Sequence, residues 1–229
     1  MQQLGIAGLP VTKLRSAYDL PDELIPKPHS RAFADFIKYW FFQPMALSRR
    51  ELDCSFLHDL TPVELHAARK LIRVNLQTRH IHIIDGAAAL EDVEAIPILR
   101  AMFADESEES RRLTIAGSLW KLARDPVFVD CLAKLVASPN HILKQAHYYQ
   151  VLWLKDARSI DFMIRLLDDA DDFVRSLALS TLNTLEFGQG FDEPSHQLPS
   201  QPDTYRARKN DPAFRSHMLA QLQSLNLGW

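Results

Sequence analysis

The stretch Ala157–Leu185, ARSIDFMIRLLDDADDFVRSLALSTLNTL, decides the fold of this chain. Its apolar residues recur at helical spacing before and after a central group of aspartates, which predicts two amphipathic helices. The aspartates stand where short acidic side chains cap the start of a second helix; they are Asp168, Asp169, Asp171 and Asp172. The apolar face predicted for that second helix comprises Phe173, Val174, Leu177, Ala178, Leu182 and Leu185.

The same helix–turn–helix unit recurs along the chain. A basic residue opens each second helix at intervals of 33, 32 and 31 residues, at Arg79, Arg112, Lys144 and Arg175. Seven residues beyond these positions stand Gly86, Leu119, Val151 and Leu182, and ten beyond stand Ala89, Leu122, Leu154 and Leu185. A shared register in several columns predicts four repeats, at 61–91, 92–124, 125–155 and 156–187. The first repeat has the smallest residues in these columns.

The acidic turn, the Val174-Arg175 pair that follows it, and the spacing to Ala178 and Leu182 are together similar to a HEAT repeat. This resemblance implies an all-α fold, a right-handed α-solenoid of about four HEAT-like helix pairs. Because one helix pair cannot bury its apolar face alone, neighbouring pairs in such a fold stack into a continuous core.

The segments that flank the repeats predict caps. Residues 1–29, rich in proline and glycine, form an irregular N-terminal arm, and residues 30–60 form a helical N-terminal cap that begins at Ser30. Residues 188–229 are predicted to form a loop followed by a C-terminal capping helix, which starts at Asp211-Pro212.

Two segments have the spacing of a capping box, in which a Ser or Thr is followed three residues later by Glu. One is Ser48–Glu51 and the other is Thr61–Glu64, where Pro62 also fits the first helical position. Each predicts the start of a helix.

The chain has 229 residues, enough for one elongated domain or two small ones, and its formal net charge is -3. This charge gives no support to general polyanion binding, so nucleic acid is not an expected partner. Cys54 and Cys131 stand among apolar neighbours, which indicates buried free thiols. We see no signal peptide and no apolar run of about 20 residues. These features predict a cytoplasmic protein that does not enter a membrane.

The row of basic residues Arg79, Arg112, Lys144 and Arg175 admits two interpretations. A row of cations could follow a phosphate backbone. Alternatively, each cation braces the fold by pairing with an acidic residue of the preceding turn. Asp105 and Asp168 stand seven residues before Arg112 and Arg175, so we favour structural bracing.

No residue is predicted to be catalytic, to bind a cofactor or to bind a metal. The chain has no HExxH motif, no GxSxG motif and no glycine-rich phosphate loop. His80 and His82 are two residues apart, which would put them on different faces of a helix. His141 and His147 are six apart and are not expected to converge either.

The repeats therefore favour a non-catalytic scaffold or adaptor that binds another protein on the concave face of its second helices, such as a bacterial immunity or antitoxin-type binder. The partner and the oligomeric state are open. The predicted partner-binding residues lie off the apolar columns, with the acidic turns as a rim; they are Arg111, Thr114, Ser118, Gln145, Tyr148, Ser176 and Ser180.

Two alternatives remain from other classes. Chain length and repeat content are similar to the HEAT-like alkylpurine DNA glycosylases, and that resemblance implies Trp120 or Trp153 with Asp125 or Asp156 near a lesion. Net charge opposes this alternative. Residues 92–187 also resemble the HEAT-type phycobilin lyases, which implies a lyase-like or chaperone-like role.

Overall fold

The computed structural model describes residues 18–43, 54–187 and 201–225, and within these ranges the chain is helical with no strand. The all-α prediction is therefore confirmed for these residues. The α-helices are α1 Arg31–Ile37, α2 Pro62–Asn75, α3 Ile81–Ala89, α4 Ile96–Asp105, α5 Glu109–Ala123, α6 Val127–Ala137, α7 His141–His147, α8 Ala157–Leu166, α9 Asp172–Phe187, α10 Pro202–Arg208 and α11 Pro212–Ser224. A π-helical turn, Lys38–Phe42, extends α1, and 3-10 turns occupy Asp22–Leu24, Cys54–Asp59, Leu76–Thr78, Val93–Ala95 and Tyr148–Leu154.

The chain divides into two compact units, the first ending at Asp125 and the second beginning at Pro126. The division falls one residue from the predicted boundary between the second and third repeats, at 124. None of the helices in the described ranges is both long enough and apolar enough to cross a bilayer.

In the first unit, α3 packs against α2 and α5, and α4 packs against α5. The helix α1 packs against α2, and the π-helical turn that extends it packs against α3. Four of their aromatic side chains are fully buried; they are Phe33, Phe36, Trp40 and Phe41. Ser30 caps α1 as predicted, because its Oγ accepts a hydrogen bond from the Phe33 backbone N–H at 3.2 Å.

The capping box predicted at Thr61–Glu64 is confirmed. Thr61 Oγ1 accepts from the Glu64 backbone N–H at 3.3 Å, and Glu64 Oε2 accepts from the Thr61 backbone N–H at 3.0 Å. Glu64 Oε1 also accepts from the Ser30 backbone N–H at 2.5 Å. Burial opposes ionisation of Glu64, but hydrogen bonds from Ser30 and Thr61 outweigh it and lower the pKa of this carboxyl. One side chain therefore joins the starts of α1 and α2.

Trp40 explains the small residues of the first repeat. Its indole Nε1 donates to the His82 backbone oxygen at 3.1 Å, and its ring lies against Gly86. A Cβ atom added at Gly86 would lie 2.5 Å from Trp40 Nε1 and 2.7 Å from Cδ1 of Ile72. The absence of a side chain at Gly86 therefore makes the space into which the α1 extension packs.

In the second unit, α9 packs against α7, α8 and α11, and α6 packs against α8. Its core is formed by buried side chains of these helices, among them Phe128, Leu132, Met163, Val174, Leu182, Phe214 and Met218. The predicted start of α11 is confirmed, since Asp211 Oδ1 accepts from the Ala213 and Phe214 backbone N–H groups. The helix α10 was not predicted, and its buried Tyr205 donates to Oδ1 of Asn183 at 2.8 Å.

Three helical segments end at a residue with a left-handed backbone, and one of these residues shifts a predicted helix start. Arg79, Arg124 and Lys155 adopt left-handed backbone conformations, with φ of 56°, 54° and 53°, and each follows the end of a helical segment. Arg79 therefore lies in a turn, and the partner helix predicted from residue 79 begins at Ile81. The predicted helix start at Ser48–Glu51 and the predicted loop between 188 and 200 lie outside the described residues.

Candidate functional site

Two members of the basic row reach forward along the chain. Arg79 Nη1 lies 3.3 Å from Oε2 of Glu106, and the buried Lys144 ammonium pairs with the buried carboxylate of Asp169. Both acids belong to the turn between the two helices of the next predicted repeat, Glu106 between α4 and α5 and Asp169 between α8 and α9. Each cation was predicted to pair with an acidic residue of the preceding turn. For Arg79 and Lys144, the structure instead shows pairing with an acid later in the chain.

The other two members reach back and bind carbonyl groups, and Arg175 also pairs with the carboxylate of Asp172 in the predicted acidic turn. Arg112 Nη1 donates to the backbone oxygens of Phe103 at 3.0 Å and Glu106 at 2.7 Å, and Arg175 Nη1 donates to that of Ala170 at 3.0 Å. These are carbonyls at or just beyond the ends of the preceding helices, where cations are favoured. Asp105 and Asp168, the partners proposed from the sequence, do not make these contacts.

Arg111 belongs to a cluster around Glu106. The buried Glu106 carboxylate accepts hydrogen bonds from Arg111 Nε at 3.0 Å, the Glu108 backbone N–H at 2.9 Å and Arg79 Nη1 at 3.3 Å. Hydrogen bonds from Arg111, Glu108 and Arg79 lower the pKa of Glu106 to about 2. The guanidinium predicted to bind a partner is thus engaged in holding the turn before α5.

Two further predicted residues are inside the first unit. Thr114 and Ser118 are buried, and their hydroxyls donate to the backbone oxygens of Ser110 at 3.1 Å and Ile84 at 3.2 Å. The sequence columns missed this because α5 is buried along its whole middle, from Leu113 to Trp120. We therefore leave Thr114 and Ser118 out of the candidate surface.

The remaining predicted residues lie in the second unit. Gln145, on α7, is half-buried and donates to Oδ1 of Asp171 at 3.2 Å. Tyr148 is also half-buried, but it begins the 3-10 turn after α7, with its ring edge-on to Tyr149. Ser176 and Ser180 are exposed on α9.

Ser176 lines an open groove of about 320 Å³. One face of α9 forms one side of the groove, and residues that follow α8 or belong to α10 form the rest. The lining consists of Leu167, Asp172, Arg175, Ser176, Leu179, Pro202 and Arg206. We call this the α9 groove. It combines an apolar set, Leu167, Leu179 and Pro202, with charged side chains of both signs.

The outermost charges at the α9 groove are negative. Arg206 lies between Asp168 at 2.8 Å and Asp203 at 2.6 Å, and Arg175 pairs with Asp172. The side chains of Asp168, Asp172 and Asp203 are 67%, 90% and 92% exposed, whereas those of Arg175 and Arg206 are 38% and 37% exposed. An approaching molecule would therefore meet the carboxylates first.

Two exposed apolar side chains lie at the starts of α7 and α9. Ile142 and Phe173 are the second residues of α7 and α9, and they are 69% and 57% exposed. The Lys144–Asp169 and Gln145–Asp171 contacts tie these two helix starts together. Phe173 was predicted to face the core. The buried positions of α9 follow the spacing of Val174, Ala178, Leu182 and Leu185, which leaves residue 173 off that face.

A cluster of polar rings in the first unit was also missed. Tyr18 Oη lies 2.6 Å from Nδ1 of His80 and 2.8 Å from Nε2 of His82. The two histidines were expected on different faces of a helix, but His80 has an extended backbone and only caps α3. Their rings are therefore neighbours, with centroids 5.7 Å apart.

The residues named for the glycosylase alternative are engaged in other contacts. Trp120 is buried, and the ring of Trp153 stacks on Phe128 with centroids 6.1 Å apart. Asp125 pairs with Arg100 at 3.0 Å, and Asp156 pairs with Arg158. Each of these contacts lies within one unit.

A scan against protein-family models, a search of curated proteins and a search of solved structures each found no significant match to this chain. The chemistry of the described surfaces is therefore what supports a function.

Proposed function

We propose that this chain is a non-catalytic adaptor built from HEAT-like helix pairs, and that a partner protein docks at the α9 groove. The observation that carries the proposal is the α9 groove itself, in which the apolar residues Leu167, Leu179 and Pro202 lie among charged side chains inside an acidic border. Specific protein interfaces commonly have this plan, an apolar centre that excludes water and a polar rim that sets specificity.

The charges define what the partner presents. Asp168, Asp172 and Asp203 are the most exposed charges around the groove, so complementarity favours a partner segment with basic residues. The apolar lining formed by Leu167, Leu179 and Pro202 would take an apolar side chain from that segment. We therefore expect a segment in which lysine or arginine flanks an apolar residue.

Helix packing within each unit supports the HEAT-like part of the proposal. The second helices of successive predicted repeats pack side by side, α3 with α5 in the first unit and α7 with α9 in the second. Stacked helix pairs produce this kind of contact. The solenoid of four helix pairs extends this local arrangement to the whole repeat region and is part of the proposal.

The first experiment is a pull-down from the native host with the tagged full-length chain, followed by identification of bound proteins and nucleic acid. We expect one protein in a stoichiometric amount. Recovery of DNA without a protein would contradict the proposal and would favour the glycosylase alternative, with base excision from alkylated duplex as the next assay.

A substitution then tests the site. Ser176→Arg places a long cationic side chain in the α9 groove, so it should weaken binding of the purified partner by about tenfold or more. Ala133→Arg, at an exposed position of α6 in the same unit, is the matched control and should leave affinity within about twofold. Isothermal titration calorimetry gives both values.

Salt dependence provides an independent check of the acidic rim. Affinity for the partner should fall as ionic strength rises, and Asp172→Asn should reduce that dependence, because exposed charges are screened by salt. Equal binding by the Ser176→Arg and Ala133→Arg variants, with no effect of salt, would exclude the α9 groove as the docking site.

A further inference from the structure

Three polar atoms converge in the first unit. The phenol oxygen of Tyr18 lies within 2.8 Å of a nitrogen of His82 and within 2.6 Å of a nitrogen of His80. The rings also contact one another edge-on, since the Tyr18 centroid is 5.3 Å from that of His80 and 5.5 Å from that of His82. Two imidazole nitrogens thus point at one oxygen.

Neighbouring residues hold this cluster in position. The buried Asn75 binds the backbone of Asp19, accepting from its N–H at 2.7 Å and donating to its C=O at 2.6 Å. This fixes the residue next to Tyr18. Trp40 Nε1 donates to the His82 backbone oxygen at 3.1 Å, which fixes the opposite side. These hydrogen bonds hold the backbone next to Tyr18 and the backbone of His82.

Burial acts on His82 and Tyr18 in opposite senses for metal binding. Burial, with a smaller contribution from the neighbouring His80, lowers the pKa of His82 to about 4, so its imidazole is neutral near pH 7. Neutral imidazole is the form that binds metals. Burial raises the pKa of the Tyr18 phenol, so a metal ion has to displace the phenol proton against that shift.

We propose that Tyr18, His80 and His82 form a binding site for one divalent transition-metal ion of the copper or zinc class. Imidazole nitrogen suits these ions, and among first-row divalent metals copper(II) is bound most tightly by a given site. No group of three His, Cys, Asp or Glu side chains in the described ranges is placed to hold a metal. This site is different because a phenol oxygen completes the set.

Binding exchanges a proton for the ion. The metal forms bonds to Nδ1 of His80, Nε2 of His82 and Oη of Tyr18, and the phenol proton leaves to solvent. Bonds of about 2.0 Å to a tetrahedral ion separate its ligand atoms by about 3.3 Å. The Tyr18 oxygen, now 2.6 Å from His80 and 2.8 Å from His82, therefore has to move apart from these nitrogens by about 0.7 Å and about 0.5 Å. His80 is exposed, which leaves a path for the ion and for a solvent ligand.

The test is calorimetric titration of metal-free full-length protein with copper(II) and, separately, with zinc(II). We expect one equivalent to bind, with about one proton released per ion, measured from the dependence of the heat on buffer. His82→Gln should weaken affinity by about tenfold or more. Copper binding should also give a visible phenolate-to-metal charge-transfer band.

Tyr18→Phe is the decisive variant because it keeps the ring packing and removes only the oxygen. It should abolish the charge-transfer band and the proton release. His66→Gln, at an exposed histidine of α2 in the same unit, should leave the titration unchanged. A wild-type titration for Tyr18→Phe, a loss of binding in His66→Gln, or no stoichiometric binding at all would overturn the proposal. Circular dichroism confirms that each variant is folded.

Discussion

The repeat pattern marks Gly86 as an exception, but the reason for the glycine lies in a residue distant in sequence. The repeat register marks residue 86 as a column where larger apolar residues stand in the other repeats. The structure supplies the reason for the exception, because the Trp40 indole occupies the space where a side chain would begin. No local pattern in the sequence links positions 40 and 86.

We predict that Gly86→Ala destabilises the protein although alanine favours helices more than glycine does. The new methyl group would meet Trp40 Nε1 and Ile72, and overpacking of this kind typically costs about 1–3 kcal/mol. Chemical denaturation measures the change in the free energy of unfolding.

The double variant Gly86→Ala, Trp40→Phe supplies the control, because phenylalanine lacks the indole nitrogen that the methyl group would meet. The two substitutions should cost less together than the sum of their separate costs. A stabilising Gly86→Ala substitution, as helix propensity alone would give, would contradict the close packing.

At the scale of elements, capping residues in the sequence located several helix starts. The caps at Ser30, Thr61 and Asp211 were recognised because capping chemistry is local and has a fixed spacing. Arg124 and Lys155, the last residues of the second and third predicted repeats, end helical segments in a left-handed conformation that glycine usually takes. The missed helix α10 does start with the favourable pair Pro202-Asp203.

At the candidate site too, residues were predicted where the local pattern was sufficient and missed where packing between helices decided. Ser176 was predicted because it lies off the apolar columns of its own helix, and it lines the α9 groove. The arginine at 206 was missed because it approaches that groove from α10, about 30 residues later in the chain. Thr114 and Ser118 were misplaced because burial of α5 depends on the helices packed around it.

Glu106 is the element-scale contact with the clearest energetic consequence, since it joins the turn at Arg79 to the start of α5. We predict that Glu106→Gln lowers the free energy of unfolding at pH 7 by about 2 kcal/mol, because hydrogen bonds to a charged acceptor are lost. Glu109→Gln, at an exposed position in the first turn of α5, should change it by less than about 0.5 kcal/mol.

The effect of Glu106 should depend on pH. Its pKa in the folded protein is about 2, below the ordinary value of 4.5, so ionised Glu106 stabilises the fold fully above about pH 4.5. That contribution is lost as pH falls towards 2. The wild-type and Glu106→Gln proteins should therefore converge in stability over this range. A difference that stays constant from pH 7 to pH 2 would contradict the charged hydrogen-bond cluster.

At the scale of the whole molecule, the formal net charge follows directly from the sequence. The formal net charge is -3, and it opposes the approach of a polyanion at long range. We predict no electrophoretic mobility shift of normal or alkylated duplex DNA at physiological salt with up to micromolar protein, at which even nonspecific DNA-binding proteins begin to bind. A salt-sensitive shift would favour the glycosylase alternative.

The hydrogen bonds from the Asn75 side chain to the Asp19 backbone constrain the residue type at position 75 but not at position 19. Asn75 binds the peptide N–H and C=O of residue 19, groups that almost every amino acid supplies, while the Asp19 side chain faces solvent. Substitutions at residue 19 should therefore leave these hydrogen bonds intact, except substitution by proline, which lacks the N–H group. Residue 75 is constrained, because only a side-chain amide both donates and accepts in this geometry. The segment beside Tyr18 is held by its backbone, whatever its sequence becomes.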